Sequence, residues 1–361
     1  MRFLVTGLFV LATAPGAFAD YSAVAINSDG TKYAVKDQLN SIAAGANATK
    51  SCRQANPNDI CELVSLNDKP IITSGQVKAR VPDNPHPLYL WQLKSNESTI
   101  FIAGSIHILK PGFFPLPSQF EAAFNASDYL VLEVDTEEMA PTAMQALSMQ
   151  YAQLPAHTPL SSLLASDMYQ SLGSALEDYG INIDHFERFK PNFVTQQLAV
   201  LALLSVGYDP ASGLESHFRR KKGDRSILQL ESVEFQLDLL FNTPIPTQIE
   251  MAAETIKQLP SFEAVTADLV TAWLSGDDDA FLEATEAQSG DTPALRAFNK
   301  KLLTDRNYGM TDTITGYLTQ PGTYFVLVGA AHLIGDEGIP ALLKKRGYAP
   351  QRLASNSSIS E

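Results

Sequence analysis

The sequence predicts an α/β fold: a central mixed β-sheet interrupted by a large helical insertion, with a small α+β module in front of it. Three observations predict it. Thr99–Leu109, T-I-F-I-A-G-S-I-H-I-L, is an apolar, β-branched run that stops at Gly104 and delivers His107 three residues later. Thr323–Leu333, T-Y-F-V-L-V-G-A-A-H-L, repeats that pattern near the other end, with Gly329 and His332. Continuous apolar runs of this kind suit strands covered on both faces, and the glycine allows a sharp turn where a side chain would obstruct a neighbour or ligand. Between them, from about Ala140 to Gly223 and again from Gln248 to Tyr317, apolar residues recur at spacings of three and four, the period of helices.

Residues 1–19 read as a secretory signal peptide: Arg2 is the only charge, Phe3–Ala14 is apolar, and Ala17-Phe18-Ala19 is a small-x-small cleavage pattern. An exported protein, periplasmic or secreted, is expected. Residues 20–80 read as a small module. Ser22–Ile26 and Thr31–Ala34 are strand-like around Asn27-Ser28-Asp29-Gly30, Leu39–Cys52 is helix-like, and Ile60–Leu66 and Pro70–Thr73 read as strands. Cys52 and Cys61 are the only cysteines, and in an oxidising compartment a disulfide between them is expected.

Residues 81–87, Val-Pro-Asp-Asn-Pro-His-Pro, form a linker signature, and residues 88–350 the main domain. In that domain Leu88–Leu93 precedes the first Gly-x-x-His strand. Tyr129–Asp135 (Y-L-V-L-E-V-D) and Ser226–Glu231 (S-I-L-Q-L-E) share its grammar. If these strands lie beside the two Gly-x-x-His strands, imidazoles and carboxylates converge at one sheet edge, where open α/β sheets place ligands. Helices are expected over Met144–Tyr151, Leu160–Tyr179, Phe193–Val206, Leu214–Lys222, Ile249–Gln258, Phe262–Leu274, Asp278–Glu286 and around Leu302–Leu318, with a closing helix over Gly338–Arg346 and a flexible tail over residues 351–361.

The 361 residues carry a formal net charge of −14, which argues against nucleic acid or anionic lipid as partner. The run Arg219-Arg220-Lys221-Lys222 reads as the solvated last turn of a helix. No apolar stretch beyond the leader is long enough to span a bilayer. No H-E-x-x-H, G-x-S-x-G or P-loop occurs, so zincin, α/β-hydrolase and NTPase readings have no local support.

His107 and His332 stand out because their contexts are near-duplicates; neutral imidazoles mixed with carboxylate can hold a divalent ion and leave positions open for water. Glu133, within an apolar run, needs a partner: an arginine in a buried ion pair, or a role as ligand or general base. Glu231, before Gln236 at a strand-to-helix junction, is either a member of the site or a helix N-terminal charge. Arg306 either stabilises an oxyanion or holds a substrate carboxylate bidentately, or else is a surface charge. Glu215 and His217, in G-L-E-S-H-F, open a helix, whereas His86, His157, His185 and Ser105 carry no catalytic pattern.

Gly104-Ser105-Ile106-His107, Gly329-Ala330-Ala331-His332-Leu333, the L-E-V-D of Glu133, L-Q-L-E-S-V-E-F-Q, D-R-N around Arg306 and the closing G-D-E-G-I-P-A-L-L-K-K-R-G-Y together resemble the TraB/GumN family, related to the Tiki proteins, over roughly Leu88 to Ala349. Residues 21–80 resemble a small domain of unknown function in exported bacterial proteins, outside the family pattern. The family resemblance implies a fold related to ChaN and the erythromycin esterases and, from the Tiki branch, metal-dependent proteolysis of a peptide or protein substrate, with Mn or Co favoured over Zn or Fe. It implies His107, Glu133 and His332 as the metal site, with Glu231 and Arg306 in support. The expected mechanism has the ion acidify a water, a second carboxylate take the proton and Arg306 face the oxyanion. A metal-free His/Glu hydrolase, a haem or iron carrier and a non-catalytic peptide-sequestering protein are the alternatives.

Overall fold

The computed structural model describes residues 20–287 and 289–359; the expected signal peptide lies outside them. The N-terminal module is an antiparallel sheet of β1 (Tyr21–Ile26), β2 (Lys32–Gln38), β3 (Glu62–Leu66) and β4 (Lys69–Pro70), in the order β2-β1-β3-β4. The helix Ser41–Ala55, N-capped by the Asn40 side chain, packs on it, and the Cys52–Cys61 disulfide ties that helix to the start of β3. The strand expected over Pro70–Thr73 stops at Pro70. Thr73 instead caps the helix Ser74–Lys78 in a capping box with Gln76, a competing use that T-S-G-Q encodes.

The main sheet comprises β5 (Pro87–Lys94), β6 (Ser98–Ser105), β7 (Tyr129–Leu132), β8 (Ser226–Gln229), β9 (Gly322–Gly329) and β10 (Gln351–Ala354), ordered β10-β5-β6-β9-β7-β8. β10, β5 and β6 pair antiparallel, while β6, β9, β7 and β8 run parallel, so the sheet is mixed. The four strands singled out by their grammar are thus consecutive, and their carboxyl ends share one edge. Ile100–Ser105, Leu130–Leu132 and Tyr324–Gly329 are buried throughout, as unbroken apolar runs require.

Within the expected flexible tail, residues 351–354 form a strand instead: β10 pairs with β5, and Arg352 lies over the rings of Tyr89 and Trp91 while bonding Asp278. The long helix expected over Leu160–Tyr179 is two, Leu160–Leu163 and Ser166–Glu177, broken where Leu164 is extended. A further helix, Pro293–Leu302, was legible in Thr292-Pro293, a cap followed by a proline at the first helical position. The insertion builds its own core, in which Phe193, Leu198, Leu237, Phe241 and Phe298 are buried around the helix Pro191–Ser205.

The module is fastened to the domain by buried polar contacts. Lys110, 1% exposed, donates through Nζ to the Ile72 carbonyl at 2.5 Å, and the Ile72 N–H donates to Glu263 at 2.6 Å. Burial, partly offset by Glu62 and Glu263, pulls the Lys110 pKa down to about 8. Among the described residues, no helix is long and apolar enough to cross a membrane.

Candidate functional site

Each expected site residue lies at the carboxyl end of a parallel strand or on a helix facing that end. β6 and β9 are in parallel register with Ser105 opposite Gly329, so the chain turns into the two histidine segments side by side. β7 ends at Leu132 and places Glu133 just beyond the strand rather than within it. β8 likewise ends before Glu231, whose N–H donates to the Glu133 carbonyl at 2.8 Å.

Glu133 is the hub. Its Oε1 accepts from the Gly329 N–H and stands 3.7 Å from His332 Nε2, while its Oε2 accepts from Arg306 Nη2 at 2.6 Å. Gly329 is a close-approach glycine: a Cβ there would lie 3.1 Å from Glu133 Oε1 and 3.6 Å from His107 Nε2, in the space these groups face. Burial would raise the Glu133 pKa, but the positive charge facing it, from His332 when protonated and from Arg306 at every pH, holds it at about 2.

The imidazoles are oriented from behind. Asn307 Nδ2 donates to the Glu337 carbonyl at 2.8 Å, which fixes its amide so that Oδ1 faces His332 Nδ1 at 2.6 Å. An amide oxygen only accepts, so His332 Nδ1 carries the proton and, in the neutral ring, Nε2 carries the lone pair. His107 Nδ1 lies 2.8 Å from Glu215 Oε1, so by the same logic Nδ1 carries the proton and, in the neutral ring, the lone pair is on Nε2, on the Gly329 side. Burial opposes charge on both rings. At His107 the Glu215 carboxylate outweighs it and the pKa is raised; at His332 burial prevails, aided by Arg306, and the pKa falls to about 4.

Arg306 is fully engaged. Its Nε and Nη2 bond Glu231 at 2.7–3.0 Å, Nη2 also bonds Glu133, and Nη1 donates to the Leu302 carbonyl. Gln236 Nε2 donates to Glu231 at 2.9 Å. Glu231 thus sits behind Arg306 and, unlike Glu133, Arg306, His107, His332 and Glu215, does not line the adjoining cavity. His217 is used elsewhere, against Glu121 at 2.6 Å and stacked on Phe114, and His157 and His185 are exposed. Arg219, Arg220 and Lys221 are paired with Asp135, the Ala211 carbonyl and Glu121 respectively, as local structural contacts.

Sequence reasoning singled out Glu215 without giving it a partner, and missed Asn307 as the residue that sets a tautomer. The only available signal was its place next to Arg306.

The donor set is of the kind that holds a divalent ion: two imidazoles, each anchored through Nδ1 and able, when neutral, to ligate through Nε2, and one carboxylate. Two donors on one tetrahedral ion stand about 3.4 Å apart, close to the 3.7 Å between His332 Nε2 and Glu133 Oε1. Among the described residues, however, no group of three or more His, Cys, Asp or Glu side chains forms a ready-made metal cage, since Glu133 is drawn toward Arg306 and the Gly329 N–H.

Comparison with known proteins places this geometry in context. A protein of Escherichia coli (strain K12) described as uncharacterized protein YbaP is 22% identical over 248 residues, 67% of this chain and 87% of its own. An uncharacterized protein of Treponema pallidum (strain Nichols) is 22% identical over 269 residues, 71% of this chain and 80% of its own. A metalloprotease TIKI homolog of Amphimedon queenslandica is 31% identical over 78 residues, 21% of this chain and 15% of its own. No solved structure matches the chain significantly. The model of the TraB/PrgY/gumN family matches residues 89–352, which span both Gly-x-x-His strands and everything between them, and the chain belongs to that family.

Proposed function

We propose that this protein is an exported hydrolase acting on peptides or proteins, with a divalent ion held by His107, His332 and Glu133. The observation that carries the reading is the matched support of the two imidazoles, each anchored through Nδ1, with His332 Nε2 3.7 Å from Glu133 Oε1 and His107 Nε2 on the Gly329 side of the same edge. The short likeness to a protein named as a metalloprotease supports it. When bound, such an ion would polarise a substrate carbonyl and acidify a water.

The chain's own residues do the rest. Asn307 and Glu215 hold the two rings through Nδ1, which leaves Nε2 of each, when neutral, as the nitrogen able to ligate. Glu133 stays ionised across the physiological range and presents Oε1 there. Arg306 and Glu231 act as positioning residues: the guanidinium clamps Glu133 by Oε2, and Glu231, itself held by Gln236, keeps the guanidinium in place.

The test is metal content of the purified chain by mass spectrometry, with His107→Ala and His332→Ala. Stoichiometric Mn, Co, Zn or Fe in the wild type and its loss in both variants, together with cleavage of an internally quenched peptide set, is the expected result. No metal after incubation with each ion would overturn the metal site.

A second reading rests on the His107–Glu215 pair alone. A histidine backed by a carboxylate, its other nitrogen open to a cavity, is the geometry of a general base with its orienting group. Hydrolysis that survives chelation would favour it.

A further inference from the structure

The two histidine arms differ at the position after the glycine: Gly104-Ser105-Ile106-His107 carries a serine there, and Gly329-Ala330-Ala331-His332 an alanine. The groups behind the rings differ as well. Asn307, behind His332, is already pinned, because its Nδ2 donates to the Glu337 carbonyl. Glu215, behind His107, is held through one oxygen: Oε1 meets the ring, while Oε2 is buried with no well-formed hydrogen bond. Ser105 Oγ is buried in the same condition, on a residue only 2% exposed.

Backbone contacts bring these two atoms' residues together. The helix Leu214–Arg220 seats its first turn on the end of β6: the Leu214 N–H donates to the Ile106 carbonyl at 3.2 Å. Gly213 lies so close that a Cβ on it would stand 2.0 Å from the His107 carbonyl oxygen. Glu215 is thereby delivered onto segment 105–107, where the Ser105 hydroxyl acts on its carboxylate as a donor and favours the ionised form. The two are complementary: a hydroxyl that rotates to aim its one proton, and a buried anionic oxygen that is costly to leave without a donor. The consequence is orientational. The last torsion of a glutamate is soft, so a bond at Oε1 alone lets the carboxylate plane swing, whereas bonds at both oxygens set it. Setting the plane sets the direction from which Oε1 meets His107 Nδ1.

We propose that Ser105 is the positioning residue of the first arm, donating its hydroxyl to Glu215 Oε2 so that a closed Ser105–Glu215–His107 unit fixes the Nδ1–H tautomer of the ring. Ser105 does for Glu215 what the Glu337 carbonyl does for Asn307. Ala330 has no such task, because the group behind His332 is pinned from elsewhere. The unit rests on the hydrolase reading only for what His107 Nε2 then ligates; the tautomer does not.

Nitrogen-15 NMR of the imidazoles in chelator-treated protein, at a pH where both rings are neutral, reads the tautomers directly. The wild type is expected to show His107 as the Nδ1–H form alone. Ser105→Ala should show a mixture at His107 with His332 unchanged, which a general loosening of the fold would not produce. A mixture in the wild type, a single form in Ser105→Ala, or an equal change at His332 would overturn the proposal; the first of these needs no variant. Calorimetric titration with Mn or Co gives a second readout. Ser105→Ala should weaken affinity about threefold to tenfold, the worth of one hydrogen bond, and add nothing in a Glu215→Ala background. The same further loss in that background would mean that Ser105 does not act through Glu215, and would overturn the unit. If the wild type binds no ion, the metal site falls, and the tautomers still decide the role of Ser105.

Discussion

The two Gly-x-x-His arms are near-duplicates in sequence and opposites in support. His107 is backed by the Glu215 carboxylate and His332 by the Asn307 carboxamide. A carboxylate stabilises the charged ring; a carboxamide fixes orientation and leaves burial to decide the charge. One arm therefore has a raised pKa and the other a pKa near 4, although both rings feel the negative charge of the same Glu133 carboxylate. Similar backbone motifs can thus deliver one geometry with two electrostatic characters, and the difference is written in residues outside both motifs.

The change expected to have the largest effect removes what the arms share. Glu133→Gln keeps the shape and lets Glu231 continue to hold Arg306, and it should lower kcat/KM for peptide hydrolysis by about 10²–10⁴-fold. A rate within tenfold of wild type would remove Glu133 from the mechanism.

Next come the two backing residues, changed one at a time. Glu215→Gln and Asn307→Leu should each weaken divalent-ion affinity by about 10–100-fold, with Glu215→Gln the more damaging because its bond to imidazole is charge-assisted. Calorimetric titration with Mn or Co reads both, and equal, negligible losses would mean that the rings are held by packing alone.

Acidity separates the arms in chelator-treated protein. The folded pKa of His332, about 4, lies below its ordinary 6.5, so the unfolded chain binds the extra proton between those values. Its contribution to stability is present above pH 6.5 and is lost as the pH falls toward 4, by about 3 kcal/mol. His107 has the opposite sign: its contribution is complete below its ordinary value and is lost as the pH rises through its raised folded value. Denaturant unfolding across this range should therefore show less acid loss in His332→Gln and less loss on the alkaline side in His107→Gln. The same slope in both variants would contradict the assignment.

An effect of similar size, away from the site, tests whether this behaviour is special to it. Lys110, at the module junction, has its folded pKa lowered to about 8 from 10.5. Wild-type stability should gain up to about 3 kcal/mol relative to Lys110→Met as the pH climbs between those values, with peptide hydrolysis tracking neither. Parallel curves for the two proteins would show that burial does not lower the Lys110 pKa.

Much of this was legible in the residues. Apolar runs ending in Gly-x-x-His announced buried strands because period and composition are local properties, and both glycines lie where such strands end. The cysteine pair was legible for the same reason. Glu133 required a partner by its setting, and an arginine was one of the two answers the sequence left open; the structure supplies Arg306. What could not be read were relations between distant segments. Glu215 meets His107 and Asn307 meets His332 only because helices cross the sheet edge, and no spacing in the chain encodes that crossing. Residues 351–354 looked like tail because an edge strand of four residues has no period of its own; its partner β5 makes it a strand.

Strands β6 and β9 are hydrogen-bonded neighbours, yet the whole helical insertion lies between them in the chain. Joining such distant segments is among the slower events of folding. A chain still emerging from the ribosome, or one cut short before His332, holds only half of the facing pair. The timing of any chemistry at this edge is thus tied to completion of the polypeptide, so that synthesis itself acts as the safety catch.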